Sequence, residues 1–530
     1  MLDGCTPWPQ EFAERYRAAG YWRDENLGEF LHELARSHGE RTALVVGPHR
    51  WTYAELDERA DRMAAGLHAL GIGPGARVVV QLPNVPELVP LLFALFRIGA
   101  QPVVALPAHR ASEITYFCEF TEATAYVIPD AHLGFDYREL AAEVAARVPT
   151  LKHVLVAGDP GEFTALGDLP AGSLPDLPRP DPADVAIFLL SGGTTGVPKL
   201  VPRVHQEWSY SGRAVAEACG YDASTVHLVS LPLSHNWPLT HGLMATFNVG
   251  ATLVLAPGPS PDETFPLVER EGVTDTGLVP GMALLWMEVA EWGEHDLSSL
   301  RRVTIGGTKL NPELARRVEP ALGCRLQQAF GMAEGLCGFH RWDDPADVVL
   351  VSQGLPVSPD DEVRVVDEED RDVPPGEVGQ LLARGPYTVR GYYRAPEHNA
   401  RAFTEDGFYR TGDLVRLLPT GHVIFEGRVK DQINRGGDKI AAEEVENHLL
   451  AHPHVREVAL VGLADEVLGE RSCACVVPRG APPAHQELVA FLRGRGVAAF
   501  KIPDRLEIVD ALPLTALGKV SKKKLTAMFG

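Results

Sequence analysis

Nine consecutive residues, Ser191-Gly192-Gly193-Thr194-Thr195-Gly196-Val197-Pro198-Lys199, constrain this chain more than any other feature. They follow directly on an apolar, strand-like segment, Val185 to Leu190. Glycines let backbone N–H groups turn inward toward an anion, Ser191, Thr194 and Thr195 add hydroxyl donors, and Lys199 brings a mobile positive charge. A strand that empties into such a loop reads as phosphate-handling, with ATP the expected guest. The Walker A pattern is absent, since it ends in Gly-Lys-Ser/Thr, whereas here Pro198 precedes the lysine and Leu200 follows it. An ordinary P-loop kinase is therefore disfavoured.

The 530 residues exceed what one core supports and suit a large body of two or more subdomains plus a smaller appended domain. Between residues 53 and 104 the pattern alternates: Tyr53 to Leu70 is amphipathic, Arg77 to Leu82 strand-like, Pro86 to Gly99 helical, and Gln101 to Leu106 strand-like again. Proline and glycine crowd Gly158 to Pro182, a surface connection into the strand before the loop. A further β/α series runs through Thr225 to Leu231, Ala251 to Leu255, Thr276 to Leu278 and Arg302 to Ile305. Strand-turn patterns over Glu362 to Val366, Gly379 to Arg384 and His422 to Phe425 indicate a small β-rich subdomain, and a tail domain starts near Lys430. In that tail Ala442 to Leu450 reads as a helix with Glu443, Glu444 and Glu446 toward its N-terminal end, where the helix dipole favours them.

A formal charge of −22 argues against general nucleic-acid binding, which needs a basic surface. The seven cysteines are scattered and odd in number, and no signal segment opens the chain, so a disulfide framework is not expected and the cytosol fits best. Cys473-Ala474-Cys475 lies in a strand-like run that points both thiols to one face, and core packing is the expected role. Leu88 to Leu106, the most apolar segment, is interrupted by Pro90, Arg97 and Gln101, a poor pattern for a membrane span.

Five further motifs follow the loop in order: Gly306-Gly307-Thr308-Lys309, Phe330-Gly331-Met332-Ala333-Glu334, Tyr409-Arg410-Thr411-Gly412-Asp413, Glu426-Gly427-Arg428-Val429-Lys430-Asp431 and Gly518-Lys519. Collinear over most of the chain, they resemble the adenylate-forming superfamily, which joins acyl- and aryl-CoA ligases, luciferases and the adenylation domains of peptide synthetases. The resemblance implies an α/β fold: an N-terminal AMP-binding body over 1–429, made of two α/β subdomains and a β-rich subdomain, and a smaller mobile α+β domain over 430–530 bearing a catalytic lysine. It also implies roles. Lys519 bridges substrate carboxylate and α-phosphate, with Lys199 and His235 as further catalytic candidates. Glu334 holds Mg²⁺, and Asp413 with Arg428 takes the ribose hydroxyls. Ser191, Gly192, Gly193, Thr194, Thr195, Gly307, Gly331 and Met332 line the nucleotide, while Phe330 either offers it an aromatic face or packs in the core. Lys430 serves as the hinge, and Gly436 and Gly437 belong to a loop, Asn434 to Lys439, that enters the site for thioester formation.

Ser234-His235-Asn236-Trp237-Pro238-Leu239 narrows the resemblance to stand-alone 2,3-dihydroxybenzoate ligases of siderophore pathways, which carry His-Asn-Tyr-Pro here. Amino-acid adenylation domains place an aspartate near this point for the α-ammonium. Asn236 is neutral and can hydrogen-bond an ortho hydroxyl or amino group, so an aromatic acid without an α-amine follows. Trp237 in place of tyrosine and the short Leu239-Thr240-His241-Gly242 segment depart from that subgroup, and Thr308 and Cys337 look like pocket variations as well. The pocket set is thus His235, Asn236, Trp237, Thr240, His241, Gly306, Thr308 and Cys337. Salicylate, anthranilate, 3-hydroxyanthranilate or a hydroxylated heteroaryl acid competes with 2,3-dihydroxybenzoate, and His241 offers a new polar contact to a ring substituent. Eleven residues follow Lys519, too few for a carrier domain. The acceptor is expected in trans, a phosphopantetheinylated aryl carrier protein or else free CoA, on a monomer or homodimer. A catalytically inactive scaffold of the same fold is disfavoured, because Lys519, Glu334 and Asp413 are all present.

Overall fold

A computed structural model describes residues 2–170, 172–191, 199–435, 438–465, 468–495, 497, 499–515 and 519–530. The chain divides into two compact units: Met1–Glu362 with Ala383–Tyr409, and Val363–Leu382 with Arg410–Gly530.

Two sheets organise the first unit. In the seven-stranded one the order is 200–204, 185–190, 101–104, 77–80, 125–129, 153–157, 164–165, parallel except for the antiparallel pair that flanks the glycine-rich loop. The nine-stranded sheet runs 355–356, 335–339, 325–332, 302–305, 275–278, 226–229, 252–255, 42–46, 49–52, parallel in its middle and antiparallel at both ends. Strands of both sheets contribute to one continuous core with the helix Leu88–Arg97, whose residues from Leu88 to Phe96 are all buried. An apolar surface on every side of a ten-residue helix marks a core helix, and among the described residues no helix is long and apolar enough to cross a membrane. Helices Ala111–Phe120 and Tyr137–Arg147 cover the other face of the first sheet, and Pro261–Glu271, Pro280–Ala290 and Pro312–Leu322 that of the second. Strands buried on both faces have to be apolar throughout, which is why Val185–Leu190 is legible as Val-Ala-Ile-Phe-Leu-Leu. The helix Tyr53–Ala69 begins at a reciprocal capping box between Thr52 and Glu55.

The second unit holds a four-stranded sheet, ordered 362–366, 379–384, 409–417, 423–428, and a five-stranded sheet in which 432–435 lies between 438–441 and 469–478, with 455–465 and 505–508 also paired to 469–478. The helix Ala442–Leu450 forms as expected, and its acidic residues are ion-paired: Lys501 bonds Glu444 at 2.7 Å and Lys522 bonds Glu446 at 2.6 Å. Cys473 and Cys475 are buried in one apolar cluster with Val461, Leu463 and Leu525. The architecture is the expected α/β fold of a large body with a smaller α+β portion.

Candidate active site

Ser191 and Lys199 close the base of the glycine-rich loop on each other. Ser191 N–H donates to the Lys199 carbonyl at 2.9 Å, and Lys199 N–H donates to Ser191 Oγ at 3.0 Å. Gly192, Gly193, Thr194 and Thr195 lie outside the described residues. Lys199 leaves this base with its ammonium 5.8 Å from the centroid of the Tyr392 ring. Tyr392 is brought there by its neighbour Tyr393, whose N–H bonds the Leu200 carbonyl.

Tyr392 also connects to Glu334. Its hydroxyl donates to Glu334 Oε1 at 2.6 Å and lies 2.9 Å from the Tyr409 hydroxyl. Burial, with the Glu334 carboxylate and Tyr409 beside it, holds the Tyr392 phenol far above its ordinary pKa, so it remains a proton donor. Glu334 is itself buried. Its backbone is fixed by two contacts, Val389 N–H to the Glu334 carbonyl at 2.7 Å and Arg203 Nη1 to the Ala333 carbonyl at 2.9 Å. Arg203 forms a fully buried, two-pronged pair with Glu207, and its Nη2 also bonds the Tyr387 carbonyl. The sequence reading assigned no function to Tyr392, Arg203 or Glu207, and Tyr409 figured there only as the first residue of the Tyr409–Asp413 motif. Arg203 and Glu207 stand four apart, a spacing that pairs charges on any helix and seldom signals more.

Glu334 sits in the tight connection between strands Arg325–Met332 and Gly335–Phe339, where Gly331 pairs with Cys337 and Met332 with Gly335. Gly331 is exposed and Phe330 and Met332 half-buried, so Phe330 is outside the clustered core. The Cys337 thiol is pushed up to about 12 by burial. Its N–H bonds the Tyr387 hydroxyl at 3.2 Å, and that hydroxyl donates at 2.5 Å to Asp361 Oδ2, which also accepts from Ser358 N–H at 3.1 Å. Burial raises the Asp361 carboxyl to about 7.

Of the residues expected to line an aryl pocket, His235, Asn236, Trp237, Thr240, His241 and Gly306 come together around a seven-residue π-helical stretch, Pro238–Met244, a geometry that the sequence did not signal. Gly242 permits its close packing, since a Cβ there would stand 2.5 Å from Val229 Cγ2. Trp237 stacks on His241 with ring planes 16° apart. The Trp237 ring lies over Gly277 and Gly306 at the ends of adjacent strands, where added Cβ atoms would come within 3.3 and 3.4 Å of it. Thr240 Oγ1 accepts from Trp208 Nε1 at 3.2 Å and donates to Asn236 Oδ1 at 3.4 Å, leaving the Asn236 amide N–H₂ as its donor end. His235 Nδ1 accepts from Trp237 N–H at 3.3 Å. His241 is buried and held neutral by desolvation, and its Nε2 bonds the Tyr221 hydroxyl. Gly307 adopts φ +85°, a turn conformation that suits glycine, and Thr308 beside it is exposed.

In the second unit Asp413 and Arg428 face each other across paired strands, with Arg428 Nε 2.9 Å from a buried Asp413 carboxylate. Lys519 is exposed, and its backbone pairs with Thr515 through Thr515 N–H to the Lys519 carbonyl at 2.7 Å and Lys519 N–H to Thr515 Oγ1 at 3.2 Å. Lys430 falls in a single turn, Val429–Asp431, directly after the strand that carries Arg428, with its side chain outside the described residues. Gly436 and Gly437 also lie outside them, between the paired strands Gln432–Arg435 and Asp438–Ala441.

The chain is similar to known enzymes over nearly its whole length. Residues 31–393 match the AMP-binding enzyme family, and residues 444–519 match the AMP-binding enzyme C-terminal domain. The chain is 56% identical over 526 residues to a 2,3-dihydroxybenzoate-AMP ligase of Bacillus subtilis, covering 99% of this chain and 97% of that one. It is 48% identical to a salicyl-AMP ligase / salicyl-S-ArCP synthetase of Mycobacterium tuberculosis, covering 100% and 95%. The apo structure of Mycobacterium smegmatis MbtA superimposes with a TM-score of 0.77 at 47% identity, covering 99% of both chains. With the glycine-rich loop, the Lys199–Tyr392–Glu334 cluster and the Asp413–Arg428 pair on one chain that matches over nearly its whole length, the protein belongs to the AMP-binding enzyme family and is an adenylate-forming ligase.

Proposed function

We propose that this ligase activates an ortho-substituted aryl acid with ATP, releasing pyrophosphate, and passes the aryl group to the phosphopantetheine thiol of a separate carrier protein. The observation that carries this reading is the pocket wall: a flat Trp237–His241 stack beside an amide donor, with no carboxylate among His235, Asn236, Trp237, Thr240 and His241 to receive an α-ammonium. The relatives named for 2,3-dihydroxybenzoate and salicylate support the same class.

Adenylation joins two anions: a carboxylate oxygen attacks the α-phosphorus, the bond to the β-phosphate oxygen breaks, and pyrophosphate departs. Lys199 and Lys519 supply positive charge that offsets this repulsion in the transition state. Asp413, a buried acceptor oriented by Arg428, suits the vicinal ribose hydroxyls. The nucleotide contacts of Ser191 through Thr195, Gly307, Gly331 and Met332 belong to the same proposal. Glu334 fits a hard divalent cation, being a buried carboxylate oriented by the Tyr392 hydroxyl, and Mg²⁺ held there would neutralise charge on the phosphate oxygens. In the second half-reaction the carrier thiolate attacks the acyl carbon and AMP leaves. We assign that step to a division of labour between 1–429 and 430–530, with Lys430 as the hinge and Gly436–Gly437 in the thiol's path.

ATP–pyrophosphate exchange across benzoate, salicylate, 2,3-dihydroxybenzoate, anthranilate, 3-hydroxyanthranilate, picolinates and several α-amino acids tests the assignment. Preference for an ortho-substituted aryl acid is the expected result, and an amino acid as best substrate would overturn it. Thioester formed on CoA alone as fast as on a carrier protein would reassign the acceptor.

A further inference from the structure

Next to the Trp237–His241 stack is a hydrogen-bonded triad that no step above uses. The Tyr221 hydroxyl lies 2.9 Å from His241 Nε2 and 3.0 Å from His227 Nδ1. All three side chains are buried, and burial keeps both imidazoles neutral, His227 falling to about 4 and His241 well below its ordinary value. A phenol has one proton to give and each neutral imidazole has one, so Tyr221 donates to one ring and accepts from the other. The two tautomers are thereby coupled. When Tyr221 donates to His227, His241 carries its proton on Nε2 and Nδ1 is a lone-pair acceptor. When Tyr221 donates to His241 Nε2, it accepts from His227 Nδ1–H, and the neutral His241 ring carries its one proton on Nδ1, which is then a donor.

His241 Nδ1 is the ring nitrogen turned away from the triad. It lies over Gly277, where an added Cβ would stand 3.3 Å from it and 3.3 Å from the Trp237 ring. Arg302 and Asp275 frame the triad from the neighbouring strands. The Arg302 guanidinium stands 5.1 Å from the Tyr221 ring centroid and pairs with Asp275, whose strand position is directly opposite His227.

We propose, building on the aryl-acid reading above, that Tyr221 and His227 set whether His241 Nδ1 presents a lone pair or a proton to the substrate, making His241 the residue that selects an aryl acid bearing a second polar group. Tyr221 and His227 are positioning residues in this scheme. The two arrangements hold the same number of protons on the three side chains and differ only in which nitrogens carry them, so a hydroxyl or amino group on the Trp237–His241 side is met by the first and a ring nitrogen by the second.

The test is ATP–pyrophosphate exchange by the full-length wild type, Tyr221→Phe and His227→Gln, each first checked for an unaltered melting profile. Salicylate is compared with 2,3-dihydroxybenzoate, 3-hydroxyanthranilate and 3-hydroxypicolinate, which add a second polar group. The wild type is expected to favour one of the latter three. Tyr221→Phe is expected to lower kcat/KM for that acid about 10-fold or more relative to salicylate, with KM for ATP held, as for a lost polar contact in a specificity pocket. Equal losses for both acids, an unchanged ratio, or a wild type that prefers salicylate would overturn the relay alone. A wild type that exchanges with none of these acids would overturn the aryl-acid reading and the relay with it. Should either variant fail to fold, ¹⁵N-histidine spectra of the wild type decide. Coupled movement of the His227 and His241 ring signals on adding 2,3-dihydroxybenzoate supports the relay, and signals indifferent to the acid overturn it.

Discussion

Tyr392 shows how a single hydroxyl can organise charge. It lies between the Lys199 ammonium and the Glu334 carboxylate, and it stays protonated because burial and the adjacent carboxylate oppose its ionisation. Replacing it by phenylalanine keeps the ring and removes the donor, leaving a buried carboxylate oxygen without it. Loss of such a bond costs about 1–3 kcal/mol, so Tyr392→Phe is expected to lower kcat/KM for ATP by about 10-fold and to raise the Mg²⁺ concentration needed for half-maximal exchange. Asp361 offers a pH-dependent counterpart. Its carboxyl is raised to about 7 in the fold against about 3.9 unfolded, so the folded state binds the extra proton between these values. The resulting penalty is absent below about pH 4, grows as pH rises toward 7, and is complete above it. Asp361→Asn, a neutral isostere, is expected to raise the melting temperature at pH 8 and leave it nearly unchanged at pH 4, as followed by thermal denaturation.

At the scale of elements, the connection between strands Arg325–Met332 and Gly335–Phe339 positions Glu334, and Gly335 makes it possible. Its φ is +155°, and a Cβ there would stand 2.4 Å from Thr388 Cα, a backbone atom with no room to yield. Gly335→Ala is expected to lower the melting temperature by several degrees and to depress exchange activity more than a change at an exposed helical glycine with open space around it, such as Gly494→Ala. Activity equal to wild type would remove the connection from the site. The regular elements were legible beforehand. Val185–Leu190, Arg302–Ile305 and Ala442–Leu450 appear with the limits read from hydrophobic pattern, because apolar runs and helical periodicity are local properties. The π-helical stretch Pro238–Met244 was not legible, since its form follows from packing against Val229 and the strand ends. Nor was the buried Arg203–Glu207 pair, whose value lies in carbonyls of residues 333 and 387, far away in sequence.

Across the whole molecule, Lys199 and Glu334 belong to one compact unit and Asp413, Arg428 and Lys519 to the other. Lys519→Ala is expected to reduce ATP–pyrophosphate exchange at least about 100-fold, as loss of a transition-state charge contact does, while sparing transfer from a supplied aryl-adenylate to carrier protein. Equal loss of both activities would end the proposed division between the half-reactions. Sequence alone determined the fold class, the order of motifs and the chemical types of the glycine-rich loop, the acidic residues and the late lysine, because glycine, proline and charge act locally and their spacing survives in one dimension. Which side chains share a hydrogen bond was decided by tertiary structure. Tyr392 meets Glu334 across 58 residues, and Tyr221 joins two histidines from a strand and a π-helical turn. Such pairings depend on how sheets and loops close in space, where a polar group removed from water must find its partner wherever the chain has carried it.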